Sequence, residues 1–111
     1  MPTTLIDVYN AQPGIANTTL YTASANTRVK IVAASVTNDT TTAKYISFHR
    51  VPTGIAVSDA NIIVNQKVVG SRATVSLWEL VGQVLEAGDF LSATAEIADQ
   101  LTVHISGIAV T

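Results

Sequence analysis

The sequence predicts an all-β fold, an antiparallel two-sheet sandwich of about eight strands, on three observations. Val, Ile and Thr supply 39 of the 111 residues; these β-branched side chains are stiff at χ1 and fit a pleated surface better than a helix. Apolar and polar residues alternate with period two over several short runs. Turn-forming residues cut the chain into pieces at fairly even spacing, and nothing reads as a strand, helix, strand unit. A jelly roll is the leading topology and an immunoglobulin-like sandwich the alternative. The length is common for one domain, so residues 1–111 are read as one, without internal repeat or linker.

The first strand is expected over Thr4–Tyr9, with Leu5, Asp7 and Tyr9 opposite Ile6 and Val8. Asn10–Asn17 breaks it at Pro13-Gly14, because Pro fixes φ and Gly takes conformations other residues resist. Residues 1–17 therefore read either as an arm reaching a neighbouring subunit or as an edge strand of the domain's own sheet. Thr18–Ala23 is a second strand. Arg28–Asn38 is the longest, and its alternation changes phase: Val29 and Ile31 lie on one face, Val32, Ala34 and Val36 on the other, which a β-bulge near Val32 reconciles. The polar run Asn38–Thr42 followed by alternating Lys44–Val51 reads as a hairpin. Pro52-Thr53-Gly54 opens an irregular stretch to Asp59, holding a loop or a short helical turn. Ile62–Val69 and Ala73–Leu80 resume strand character, and Gly82 and Ala87-Gly88-Asp89 bracket the short piece Gln83–Leu85. Phe90–Gln100 suits a helix or a strand and is assigned as strand after the Gly88-Asp89 turn, and Leu101–Val110 alternates clearly.

Charge narrows the function classes. Only 13% of residues are charged while 48% are hydrophobic, and the net charge is -2. A surface so poor in charge, left to Thr, Ser, Ala and Asn, points to assembly as a homodimer or higher oligomer. The acidic balance argues against nucleic acid as a partner, since phosphate neutralisation needs a basic surface. All six basic residues lie between Arg28 and Arg72, whereas Glu79, Glu86, Asp89, Glu96 and Asp99 fall in a last third without Lys or Arg. These blocks either orient neighbours or interleave in space. No run approaches the length of a membrane helix and no secretory signal is apparent, so no membrane partner is expected, and the chain is expected to stay in the cytoplasm or leave by lysis.

No constellation for chemistry stands out, and the expectation is no enzyme, no catalytic residues, no cofactor and no metal. Cysteine is absent. His49 and His104 have no ligand-type residue at metal spacing; the glycines are scattered singly and do not cradle phosphate; the acidic turns lack the spacing of a calcium loop. Trp78 is read as core or interface packing. Arg28 and Lys30, on one strand face, and Trp78 are the candidate partner contacts.

From about Leu20 onward the layout resembles small tailed-phage virion proteins, in Tyr21-Thr22-Ala23-Ser24-Ala25-Asn26-Thr27, in Ile31–Asn38, in Ala87-Gly88-Asp89-Phe90-Leu91-Ser92-Ala93 and in Val103-His104-Ile105-Ser106-Gly107. Capsid decoration or cement proteins are the most similar in size and character. That resemblance implies a jelly roll on the capsid surface of a virion assembled in the host cytoplasm, with the major capsid protein as partner and a mechanical role in stabilising the shell. The alternative is a tail or fibre-associated module recognising a host-surface glycan or protein.

Overall fold

The phase change at Val32 marks the bulge around which the fold is built. The computed structural model describes residues 3–97 and 100–111, and among them it contains nine strands: β1 (Thr3–Ala11), β2 (Thr18–Thr22), β3 (Arg28–Asn38), β4 (Lys44–Val51), β5 (Ile62–Val69), β6 (Thr74–Ser76), β7 (Val84–Leu85), β8 (Phe90–Ala95) and β9 (Leu101–Val110). Within β3 the pairing with β9 shifts register between Ile31 and Ala33, so Val32 is the extra residue, left exposed, while Val29 and Ile31 before it and Ala34 and Val36 after it face the core.

The strands form two antiparallel sheets. One runs β1-β9-β3-β6, with β7 also on β3, and the other β2-β8-β4-β5. Because β6 pairs with Ser35–Thr37 and β7 with Val29 and Lys30, the two short strands share one edge of β3 and count as a single interrupted strand. Eight strand positions that pass between sheets in this order make a jelly roll, so the immunoglobulin-like alternative is set aside.

The core lies between the sheets. Val29, Ile31 and Val36 of β3, Ile46 and Phe48 of β4, Leu91 and Ala93 of β8, and Val103 and Ile105 of β9 are buried there. Burying each large side chain stabilises the fold by roughly 1.5–3 kcal/mol.

Two assignments are corrected. Asn38–Val51 is not a hairpin: β3 pairs with β9, β6 and β7, while β4 pairs with β5 and β8, so residues 39–43 carry the chain from one sheet to the other. The polar run marks a turn, and a turn does not say which strand the next one pairs with. Nor is Ala73–Leu80 one strand. After Ser76 the chain turns, burying both Leu77 and Leu80, and Gly82 takes a positive φ of 92° on the way to β7.

Elsewhere the shape follows local chemistry. The irregular stretch after Pro52 ends in a 3-10 turn, Asp59–Asn61, where Ala60 N–H donates to Ser58 Oγ and Ser58 N–H to Asn61 Oδ1. The Phe90–Gln100 segment is a strand to Ala95; Ala98 and Asp99 lie outside the described residues. The N-terminal segment pairs with its own sheet, β1 forming the edge beyond β9, and a bulge between Asp7 and Tyr9 turns Tyr9 towards the core, away from the face expected for it.

Candidate assembly interface

The outward face of the β1-β9-β3-β6 sheet gathers the predicted contacts. Directly opposed residues of neighbouring strands point to the same face, so the pairings Lys30 with Val84, Lys30 with Ile108 and Ile108 with Leu5 set Val84, Lys30, Ile108 and Leu5 in one row across four strands. Leu5 is 81% exposed and Val84 lies open beside Lys30. The next row is Arg28, Val110 and Thr3, where Arg28 Nε meets Glu86 Oε2 at 2.8 Å. Lys30 has no ion-pair partner among the described residues.

Trp78 belongs to the same margin. The turn that carries it is tied along the edge of β3 at both ends, Leu77 N–H donating to Ala34 O (2.9 Å) and Gly82 N–H to Ile31 O (2.8 Å). Between those anchors sits the bulged, exposed Val32. With Leu77 and Leu80 taking the core positions, Trp78 is left outside, 73% exposed. Core packing is therefore excluded for Trp78, and all three sequence candidates, Arg28, Lys30 and Trp78, are surface residues of one sheet and its edge.

Sequence reasoning missed Leu5, Ile108 and Val84. The run around Leu5 is apolar on both faces, so alternation separates the faces without telling which one meets solvent.

Further along the same face lies a shallow depression of about 320 Å³, lined by Asp7, Ala33, Ser35, Ser76, His104 and Ser106. It holds the residue types of a hydrolytic triad. Such a site needs nucleophile and base within hydrogen-bond reach and a third group orienting the base. Among the described residues no hydrogen bond joins His104, Asp7 or the serine hydroxyls; Asp7 stands opposite Ser106, and His104 opposite Asn10 and Ser35. The small side chains give this half of the sheet a low, flat relief, continued by the Thr37 and Thr74 hydroxyls, 2.9 Å apart.

The charge blocks interleave in space. Arg28 pairs with Glu86, Arg50 with Asp89 and Lys67 with Glu79, each joining the basic middle of the chain to its acidic last third, and Arg72 pairs with Asp39. Glu79 is held below the usual carboxylate range, first by a hydrogen bond with its own backbone N–H and then by Lys67. No large opposed patches follow from the sequence asymmetry.

The two histidines lie on different sheets. His104 is exposed, whereas His49 is buried on the outer side of β4, directly opposite the buried Ser92 of β8. His49 Nδ1 and Ser92 Oγ have no hydrogen-bond partner among the described residues. Burial holds the His49 imidazole below its usual range, and the Asp59 carboxylate pulls it partly back up. Among the described residues no group of three His, Asp or Glu side chains is placed to hold a metal ion, and no helix is long and apolar enough to cross a membrane.

No protein-family model matches the chain, and no curated protein matches it. The fold does have a similar solved structure. A chain of a Bacillus endospore appendage, described as one of a family of disulfide-linked pili, superposes with a TM-score of 0.54 over 99% of this chain and 85% of that one, at 13% sequence identity. At that identity the likeness is one of fold.

Proposed function

We propose that this chain is a non-catalytic structural protein that docks through the outward face of its β1-β9-β3-β6 sheet onto a repetitive protein surface. The form we propose is decoration of a phage capsid, with the major capsid protein as partner, as the sequence resemblance implies. The observation that carries the docking role is the row Val84, Lys30, Ile108 and Leu5, exposed at every position but the half-buried Ile108, with Trp78 standing open at its margin. Exposed apolar patches of this kind mark interaction sites, and Trp is the side chain most often found to anchor them. Lys30 in the row asks for a carboxylate on the partner, which sets register more than affinity. Repeated over a shell, weak contacts add to a strong hold.

The pilus likeness fits the same theme of repeated assembly, but by different chemistry. These 111 residues hold no cysteine, so they cannot supply a disulfide link, and the contacts proposed here are noncovalent.

The decisive measurement is the copy number of the chain in purified particles, followed by rebinding of variants to stripped particles. Decoration requires hundreds of copies; a handful would transfer the role to a tail or fibre module, and none would end both readings. Trp78→Ala is expected to weaken rebinding by about 2 kcal/mol, roughly thirtyfold, with the melting temperature unchanged. A variant that rebinds like the parent would place the contact elsewhere.

A further inference from the structure

Of the four sheet edges, β1 offers the longest unbroken run. The edge opposite β1 is broken into β6, three residues, and β7, two residues, with the Trp78 turn between them. In the second sheet, β2 has five residues and a register shift, and β5 is kinked at Gln66, whose φ is +50°, with Lys67 beside it. A short strand, a kink and a lysine are the devices that keep edges from pairing with other chains. In β1 the register with β9 is unbroken over the five residues Thr3–Asp7, against two before the shift in β2, and the run holds no Pro, Lys or Arg; its bulge and its one charge, Asp7, come only at its end. Apart from the ladder to β9, no backbone hydrogen bond engages Thr3–Ala11 among the described residues.

We infer that this edge pairs with the same edge of a second copy, antiparallel about a two-fold axis at Leu5. The inference rests on the docking reading and deepens it by naming how neighbouring copies meet. Register follows from the faces. A shift of one residue would set outward side chains against inward ones. Among the registers that keep the faces, centring on Asp7 opposes two carboxylates, and centring on Ile6 sets Leu5 against Asp7. Centring on Leu5 opposes Leu5 to Leu5 of the second copy and Thr3 to Asp7 of the second copy, with Thr4 against Ile6 on the inner side. Opposed apolar residues stabilise a ladder and like charges weaken it. The same register joins the two rows that end in Leu5 into one apolar band, flanked by the two Lys30 side chains, across a sheet eight strands wide. A partner face twice as broad is then available to the docking surface.

The absence of cysteine makes the test clean. Leu5→Cys is expected to form a disulfide-linked dimer on mild oxidation, since directly opposed positions approach the spacing a disulfide needs. An equimolar mixture of Thr3→Cys and Asp7→Cys chains is expected to cross-link as a heterodimer, while neither variant links to itself. Leu5→Lys alters a side chain that is 81% exposed, so it should keep the parent's circular dichroism and melting temperature while weakening dimerisation tenfold or more in sedimentation equilibrium. A parent chain that sediments as a monomer at high concentration, or Thr3→Cys chains that self-link as readily as Leu5→Cys, would overturn the inference. Monomers that still rebind stripped particles in full would refute the dimer and leave docking standing, and dimers that fail to rebind would refute docking alone.

Discussion

At the scale of single residues, the fold depends on a few positions that alternation does not single out. Gly107 lies in β9 between β1 and β3, and a Cβ placed there would sit 2.7 Å from Lys30 O and 3.2 Å from Val8 Cγ2. Since backbone cannot step aside cheaply, Gly107→Ala is expected to destabilise the domain by about 1–3 kcal/mol in urea unfolding, with an unchanged m-value. His49 acts through its proton. Its pKa is lowered from 6.5 in the folded chain, so below that value the unfolded chain binds the proton first and stability falls as pH falls, until the folded pKa is passed. The stabilising effect of the neutral imidazole is thus complete above about pH 6.5 and lost in the acid window beneath it. In His49→Gln the slope of unfolding free energy against pH should flatten just below 6.5, while the steeper loss in the carboxylate range persists, because Glu79, whose pKa is also lowered, contributes there with the same sign. An unchanged slope in the upper window would show that His49 is not buried as described.

At the scale of elements, the sandwich is clamped at both ends by polar groups that reach between strands the backbone ladders do not join. At one end Asn38 is buried, its Nδ2 donating to Thr42 O (2.9 Å) and Val69 O (3.0 Å) and its Oδ1 accepting from Thr40 N–H (3.0 Å). The crossing from β3 to β4 is thereby tied to the end of β5. At the other end Arg50 spans the two sheets, with Nε donating to Val84 O (2.8 Å) and Nη2 3.4 Å from Asp89 Oδ2. The Asp89 carboxylate also accepts from Thr53 N–H (3.0 Å) and Glu86 N–H (3.1 Å). Asp89→Ala leaves those two N–H donors unsatisfied and takes the carboxylate from the half-buried Arg50 Nη2, and a loss of about 3 kcal/mol is expected by chemical denaturation; a loss no larger than that of an exposed control such as Asp39→Ala would remove the clamp. These elements also mark how far the sequence can be read. β3, β4, β5 and β9 span the runs read for them from alternation, although bulges interrupt the alternation within β3, β4 and β5. Sheet membership does not follow, because β3 and β9 pair across some seventy residues of sequence and no local pattern carries that information. For the same reason Arg28 and Lys30 can be placed on one strand face from spacing alone. The row partners of Lys30, Leu5 and Ile108, become visible only when three strands far apart in sequence are laid side by side.

At the scale of the whole molecule, the two sheets present different outer faces, and the difference tells which one is free to meet a partner. The β2-β8-β4-β5 sheet buries Ser47, His49 and Ser92 on its outer side, and Ser47 Oγ already accepts the Gln66 N–H at 2.8 Å. The β1-β9-β3-β6 sheet leaves its outer side open, apolar at the Leu5 row and low in relief beyond it. A protein that docks by the open sheet carries its own reporter there, since Trp78 is the one tryptophan in the chain and is 73% exposed beside that face. Its fluorescence in the free chain should therefore peak close to that of tryptophan in water and be readily quenched by iodide. On rebinding stripped particles the emission should shift to shorter wavelength and the quenching should fall, in proportion to sites filled. Lys30 gives a second handle: Lys30→Glu should slow rebinding at low salt and flatten its salt dependence, because steering between exposed charges is screened within about 10 Å at 0.1 M salt. Rebinding that saturates with Trp78 still fully quenchable would mean that the chain does not meet its partner through the open sheet.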